Sequence, residues 1–164
     1  MVKSTNTRII LGIDPGIADT GYGIIKITNG NLINLAFGSI KTSKDDSLPN
    51  RILSLDKEIQ KIIETYSPDI VSIEKLFFCN NSKTAFIVGQ ARGVILLAAA
   101  RNNLPIREYT PLQVKVAVCG YGKAGKGQIQ QSVKIILKMK EIAKPDDAAD
   151  ALAVAICSAT NYDY

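Results

Sequence analysis

Histidine is missing from all 164 residues, and cysteine occurs only three times, at Cys79, Cys119 and Cys157. Three thiols, odd in number, widely spaced and without imidazole partners, build neither a disulfide framework nor a Cys/His zinc site. They read as reduced core residues. Also lacking is any apolar run of the ~20 residues that a membrane-spanning helix needs, and Met1 to Arg8 is polar, unlike a secretory leader with its long apolar centre. A reducing cytoplasm is the expected location. There are no repeats, linkers or low-complexity tracts, and 164 residues suit one domain around one core. Residues 1–164 therefore read as a single domain, with 1–7 and 160–164 as loose termini.

Acidic residues are scarce in one place. Twenty Lys or Arg stand against fifteen Asp or Glu overall, but residues 101–144 hold nine basic residues against only Glu108 and Glu141. That stretch is +7 and the rest of the chain −2. A solvated lysine-rich face is the commoner explanation for any single Lys, yet clustering of this kind favours a phosphate-rich partner, nucleic acid above all.

What is abundant is patterned apolar sequence. Ile9-Ile10-Leu11-Gly12-Ile13 reads as a buried strand that must stop just past Asp14, because Pro15 and Gly16 cannot extend a ladder. After a short polar loop, two further strand-like runs, Gly21 to Ile27 and Leu32 to Phe37, flank Asn29-Gly30, the dipeptide of a tight hairpin. Leu48, Ile52, Leu55, Ile59, Ile62 and Tyr66 recur at three- and four-residue steps, which predicts a helix ended by Ser67-Pro68. A second buried strand, Asp69 to Glu74, also finishes on a carboxylate. Helical composition follows from Ser82 to Arg101, where Gly89, Ala91 and Gly93 would allow close approach to the sheet or to a second subunit. Pro105 marks Leu104 to Tyr109 as an edge strand or a strand start. Thr110 to Val118, a helix from about Gln128 to Lys140, and a last helix opening at Pro145-Asp146-Asp147 complete a β-β-β-α-β-α-β-α-α-α order. This is an α/β chain: a five-stranded mixed sheet, three meander strands plus two more, flanked by helices.

Four acids stand out. A lone carboxylate at Asp14, beside Ile and Leu and with no basic neighbour, needs either a cation or a turn whose N–H groups it accepts. Glu74 ends its strand and could equally pair with Lys75. Asp147 and Asp150 are three apart, on one helical face shared with Val154 and Cys157. The helix dipole explains Asp147 and capping explains Asp146, but neither explains Asp150 between two alanines. Like charges brought together must protonate or bind cations. An oxygen-only set selects Mg²⁺ or Mn²⁺, ions suited to phosphate esters, so the suggested chemistry is hydrolysis of a nucleic-acid backbone.

The chain resembles the RuvC Holliday-junction resolvases of the ribonuclease-H-like superfamily. Four blocks in order carry the resemblance: Leu11 to Gly16 with Thr20 to Gly23; Ile73-Glu74 to Phe77-Phe78 with Gly89 to Gly93; Gln113-Val114-Lys115 through Gly120-Tyr121-Gly122 to Lys126 and Gln128-Ile129-Gln130; and Asp147 to Ala153. The resemblance implies that Asp14, Glu74, Asp147 and Asp150 bind metal, two Mg²⁺ per subunit with Mn²⁺ able to substitute. It places Lys115 and Lys126 near the scissile phosphate, where sequence alone would call them solvated lysines. Phe77, otherwise a core residue like Phe78, is implied to wedge among bases, and Lys123 joins Lys115 and Lys126 as a DNA contact.

The implied activity is symmetric, metal-dependent cutting of two opposed strands of a four-way DNA junction in recombination and repair, leaving 5′-phosphate and 3′-hydroxyl ends. A homodimer and a branch-migration complex of the RuvA and RuvB type are the implied partners. Some relatives carry His at the position of Asp147, so this site must be all-carboxylate. No basic residue follows Asn161, and no grip on DNA is expected there. Two rivals remain open: half of an actin-like or sugar-kinase-like ATPase, which shares the strand-Asp-Gly opening, and a non-catalytic junction-binding protein.

Overall fold

A computed structural model describes residues 7–75 and 82–161. Its elements follow the expected order: β1 (Thr7–Asp14), β2 (Asp19–Thr28), β3 (Asn31–Lys41), α1 (Leu48–Tyr66), β4 (Ile70–Glu74), α2 (Ser82–Arg101), β5 (Ile106–Tyr109), α3 (Pro111–Cys119), α4 (Lys126–Ile136) and α5 (Asp146–Thr160). The sheet runs β3-β2-β1-β4-β5. β1, β2 and β3 are antiparallel neighbours, while β4 pairs parallel with β1 and β5 parallel with β4. Asn29 and Gly30, at φ 51° and 78°, make the left-handed turn that the hairpin requires. β5 is an edge strand, with Pro105 immediately before it, where a missing N–H costs no ladder bond.

Period-two alternation sends the strand side chains to two cores. Leu11, Ile13, Ile24, Val71 and Ile73 pack with Leu55 and Ile59 of α1 and with Ala91, Ile95 and Ala98 of α2. Ile10, Ile25 and Ile70 face the opposite way, onto Leu152, Val154 and Ile156 of α5, with Val114 of α3 and Val133 of α4 outside them. In α2 it is Ala91, fully buried, that approaches the sheet, whereas Gly93 is exposed with open space around its Cα.

On the second face, three glycines let α5 lie against bare backbone. A Cβ on Gly12 would stand 2.2 Å from the Ala151 carbonyl oxygen, one on Gly21 only 1.9 Å from that of Asp147, and one on Gly23 2.7 Å from Leu152. Gly12 and Gly23 are cross-strand partners, and Gly21 is opposite Asp14.

The helix expected over 128–140 instead runs from Lys126 to Ile136. Lys138 takes a left-handed conformation at φ 52°. The Lys138 N–H donates to the Ile135 carbonyl and that of Met139 to Lys134, at 3.1 and 2.9 Å. Glycine usually fills this helix-ending position, so a lysine there leaves no visible stop signal.

Candidate active site

Asp14 is the last residue of β1 and Glu74 the last of β4. The parallel register pairs Ile13 with Ile73, so the two acids leave the sheet side by side. Both share the parity of Ile10 and Ile70 and therefore point toward α5 rather than α1. Seating α5 on Gly21 sets Asp147 over the residue opposite Asp14, and Asp150 follows one turn later on the same face. The result is a cluster in which carboxylate oxygens of Asp14, Asp147 and Asp150 all lie within 4.8 Å of one another. Glu74 stands outside that group but lines the same cavity of about 280 Å³ with Asp14, Asp150, Lys115 and Lys126. No ion pair joins Glu74 to Lys75 among the described residues.

The cavity's far wall is built by α3 and α4. Thr110 and Gln113 form a reciprocal capping box at the start of α3, which brings Lys115 round toward Glu74. Lys126 is the first residue of α4 and reaches across to α5, its Nζ 3.1 Å from Asp146 and 3.8 Å from Asp150. Lys123 is exposed in the preceding loop, beside the buried Ala124 that lines the cavity.

Asp146 does not cap α5. Pro145 occupies the N-cap position with no side-chain cap bond, which leaves Asp146 as the first residue inside the helix. Its carboxylate instead accepts from Gln130 Nε2 at 2.9 Å and pairs with Lys126. These contacts hold its pKa below the usual carboxylate range.

The clustered acids titrate the other way. Burial, followed by the charges of Glu74, Asp150 and Asp147, pushes Asp14 up to about 8 against the opposing effect of Lys126. Burial and Asp150 raise Glu74, with Lys115 opposing. Asp150 is raised chiefly by burial despite Lys126, and Asp147 by burial and then by Asp19. Asp19 was hidden in what reads as a polar loop, and its buried Oδ1 has no hydrogen-bond partner. Crowded, partly buried carboxylates with one orphaned oxygen beside them are short of positive charge. An all-oxygen donor set of this kind fits a hard divalent cation, held by Asp14, Asp147 and Asp150 with Glu74 in reach.

One supporting residue carried no role in the sequence. Arg92 of α2, 12% exposed, donates from Nη1 to the Glu74 carbonyl at 2.7 Å and from Nη2 to Glu108 at 2.5 Å. It ties the end of β4 to β5 and so positions Glu74. Arg92→Leu is expected to slow single-turnover cleavage about 10- to 100-fold, the usual cost of removing an outer-shell support, with junction affinity unchanged. Equal losses in rate and affinity would make Arg92 a general structural residue instead. Phe77, Phe78 and Cys79 lie outside the described residues.

Comparison with known proteins bears on this geometry. A family model described as crossover junction endodeoxyribonuclease RuvC matches residues 10–158. The crossover junction endodeoxyribonuclease RuvC of Petrotoga mobilis is 54% identical over 150 residues, covering 91% of both chains. Thermus thermophilus RuvC, solved in complex with a Holliday junction substrate, is 32% identical with a TM-score of 0.87 over 92% of both chains. The yeast mitochondrial Holliday junction resolvase Ydc2, at 15% identity and a TM-score of 0.67 over 92% of this chain, shares the ribonuclease-H-like fold. Among the described residues, no helix is long and apolar enough to cross a membrane.

Proposed function

The chain belongs to the RuvC family of crossover junction endodeoxyribonucleases, and from that premise we propose that Asp14, Glu74, Asp147 and Asp150 are its metal-binding catalytic set. It is a nuclease that resolves four-way DNA junctions in recombination and repair. The observation that carries the site assignment is the meeting, within 4.8 Å, of an oxygen of Asp14 at the end of β1 with oxygens of Asp147 and Asp150, more than 130 residues later on α5.

Two Mg²⁺ ions per subunit, with Mn²⁺ able to replace them, are the cofactors we assign. When bound, such ions supply Lewis-acid stabilisation to the attacking and leaving oxygens of an in-line phosphodiester hydrolysis. The chain's own residues do the rest. Asp14, partly buried at the strand end, anchors the set, with Glu74 on one side and Asp147 and Asp150 on the other. Lys126, held at 3.1 Å by Asp146 and about half exposed, presents a cation at the cavity mouth, where it can stabilise charge developing on the phosphate. Lys115 does the same from the Glu74 side, and Lys123 grips the backbone from its loop. In-line attack of water on phosphorus that breaks the P–O3′ bond leaves a 5′-phosphate and a 3′-hydroxyl, ends that can be ligated. Phe77 is assigned to the crossover bases.

A four-way junction has approximate two-fold symmetry, which a homodimer would match with one active site per opposed strand. The exposed Phe86 and Leu97 of α2, 70% and 48% accessible, offer apolar surface for such a partner. A RuvA- and RuvB-type branch-migration complex and the cytoplasm complete the assigned setting.

A labelled mobile four-way junction, incubated with and without Mg²⁺ and mapped at nucleotide resolution, tests the reading. Paired symmetric nicks only with the cation support it, and cutting that survives removal of all divalent ions refutes it. Lys126→Ala is expected to reduce the cleavage rate at saturating junction on the order of 10²- to 10³-fold, as for loss of a charge-stabilising donor, while affinity changes far less. A loss confined to affinity would reassign Lys126 to phosphate gripping.

A further inference from the structure

Four lysines of the basic stretch, Lys134, Lys138, Lys140 and Lys144, have no part in the site just described. Lys126, Gln130 and Lys134 are spaced i, i+4, i+8 and so lie along one side of α4. Lys126 and Gln130 both reach Asp146. Past the left-handed stop at Lys138, the chain from Met139 to Lys144 faces Asn34 and Phe37 of β3. Between that segment and β3 opens a broad groove of about 830 Å³, lined by Lys134, Lys140 and Lys144 with Phe37, Asn34 and a single acid, Glu141. Among the described residues none of these three lysines forms an ion pair.

We propose that this groove is a second DNA contact, a phosphate track that holds the backbone of one duplex arm of the junction away from the cut. It rests on the reading that junction DNA is the substrate. Three unpaired lysines against one glutamate, around a wide and shallow opening, suit an extended polyanion better than a small enclosed ligand. The Lys126-Gln130-Lys134 side of α4 runs from the active-site cavity, which Lys126 lines, to the groove, which Lys134 lines, with Asp146 beside its first two residues. Eight residues of helix separate the two ends, about 12 Å at 1.5 Å per residue. At 3.4 Å per step along a strand, the contacted phosphates fall roughly three to six nucleotides from the scissile bond. The flexible lysines carry no base-reading geometry, so the track adds affinity and orientation without sequence preference.

The test replaces Lys134, Lys140 and Lys144 together by Gln, the first half-buried and the other two exposed, with melting curves to confirm folding. Junction binding is titrated across salt concentrations, and a second junction carries uncharged methylphosphonates three to six nucleotides from the cut. The triple variant should show a log–log salt slope shallower by about two to three, at ~0.9 per phosphate released, and roughly tenfold or greater weakening near physiological salt. Its single-turnover cleavage rate at saturating junction should stay within twofold of the parent. The methylphosphonates should weaken the parent but not the variant, the signature of a shared contact. An unchanged slope, or an equal methylphosphonate penalty in both proteins, overturns the groove and leaves the nuclease reading intact. Failure of the parent protein to cut the unmodified junction overturns that reading instead.

Discussion

Asp14→Asn is expected to cut the rate of junction cleavage by on the order of 10³-fold or more, leave junction binding intact, and make the metal-free protein more heat-stable at pH 8. The first two effects follow from its place at the centre of the acid cluster. The third follows from linkage. Burial and three neighbouring carboxylates raise Asp14 to about 8 in the folded state, against an ordinary value of 3.8. Between those values the folded protein keeps a proton that the unfolded chain has lost, so stability falls as pH rises through the window. At pH 8 the cost is at most about 5 kcal/mol, taking 1.36 kcal/mol per pKa unit. Asn carries no charge at any pH and removes that cost.

Melting curves in chelator at pH 4 and pH 8 should therefore nearly coincide for variant and parent at the lower pH and diverge at the higher. At ~2–4 °C per kcal/mol for a chain of this size, the divergence is at most roughly 10–20 °C. Mg²⁺ should raise the parent's melting temperature more at pH 8 than at pH 5, since binding must release the Asp14 proton. It should do little for the variant. Cleavage by Asp14→Asn within tenfold of the parent would remove Asp14 from the catalytic set, and parallel pH profiles would show that its carboxyl is not the group carrying this stability.

Features set by neighbours in sequence were legible before the fold was known. Asn29-Gly30 encodes a turn with two positive φ angles, and Leu55, Ile59 and Ile62 encode one buried helical stripe. Asp14 and Glu74 were legible as strand-end acids because apolar runs stop at them. Asp150 was legible because a charge between two alanines has no local purpose. Less visible was anything decided by a partner distant along the chain. Asp146 reads as a cap by its position, yet its carboxylate turns to Lys126 and Gln130 on another helix. α4 ends at Ile136 through a lysine in a conformation that favours glycine, so composition predicts a longer helix. Arg92 could be seen as a charge in a helix, but its bond to the Glu74 carbonyl depends on how α2 packs. The glycines of β1 and β2 belong to the same class: a missing side chain has meaning only once the element above it is known.

Those glycines carry the second large prediction. Gly21→Ala would place a methyl carbon 1.9 Å from the Asp147 carbonyl oxygen and 2.3 Å from its carbonyl carbon, both backbone atoms that no rotamer change can move aside. α5 must then lift by about 1 Å at the turn that carries Asp147, which carries Asp150 away from Asp14 as well. Misplacement of that size costs on the order of 10²-fold in rate. Overpacking of a tight core contact costs about 3 kcal/mol. The variant should therefore melt roughly 6–12 °C lower and cleave at least about a hundredfold more slowly, even at temperatures where it remains folded. Gly23→Ala should be milder, because much of what its methyl meets is the side chain of Leu152, which can shift. Gly93→Ala, on exposed helix with open space at its Cα, should instead stabilise the separated protomer by roughly 0.5–1 kcal/mol. Circular dichroism melts and single-turnover cleavage on all three variants separate a seated helix from a general intolerance of alanine. If Gly21→Ala matches the parent in both measurements, α5 is not held against β2 at that glycine, and the acids it carries are not held where catalysis needs them.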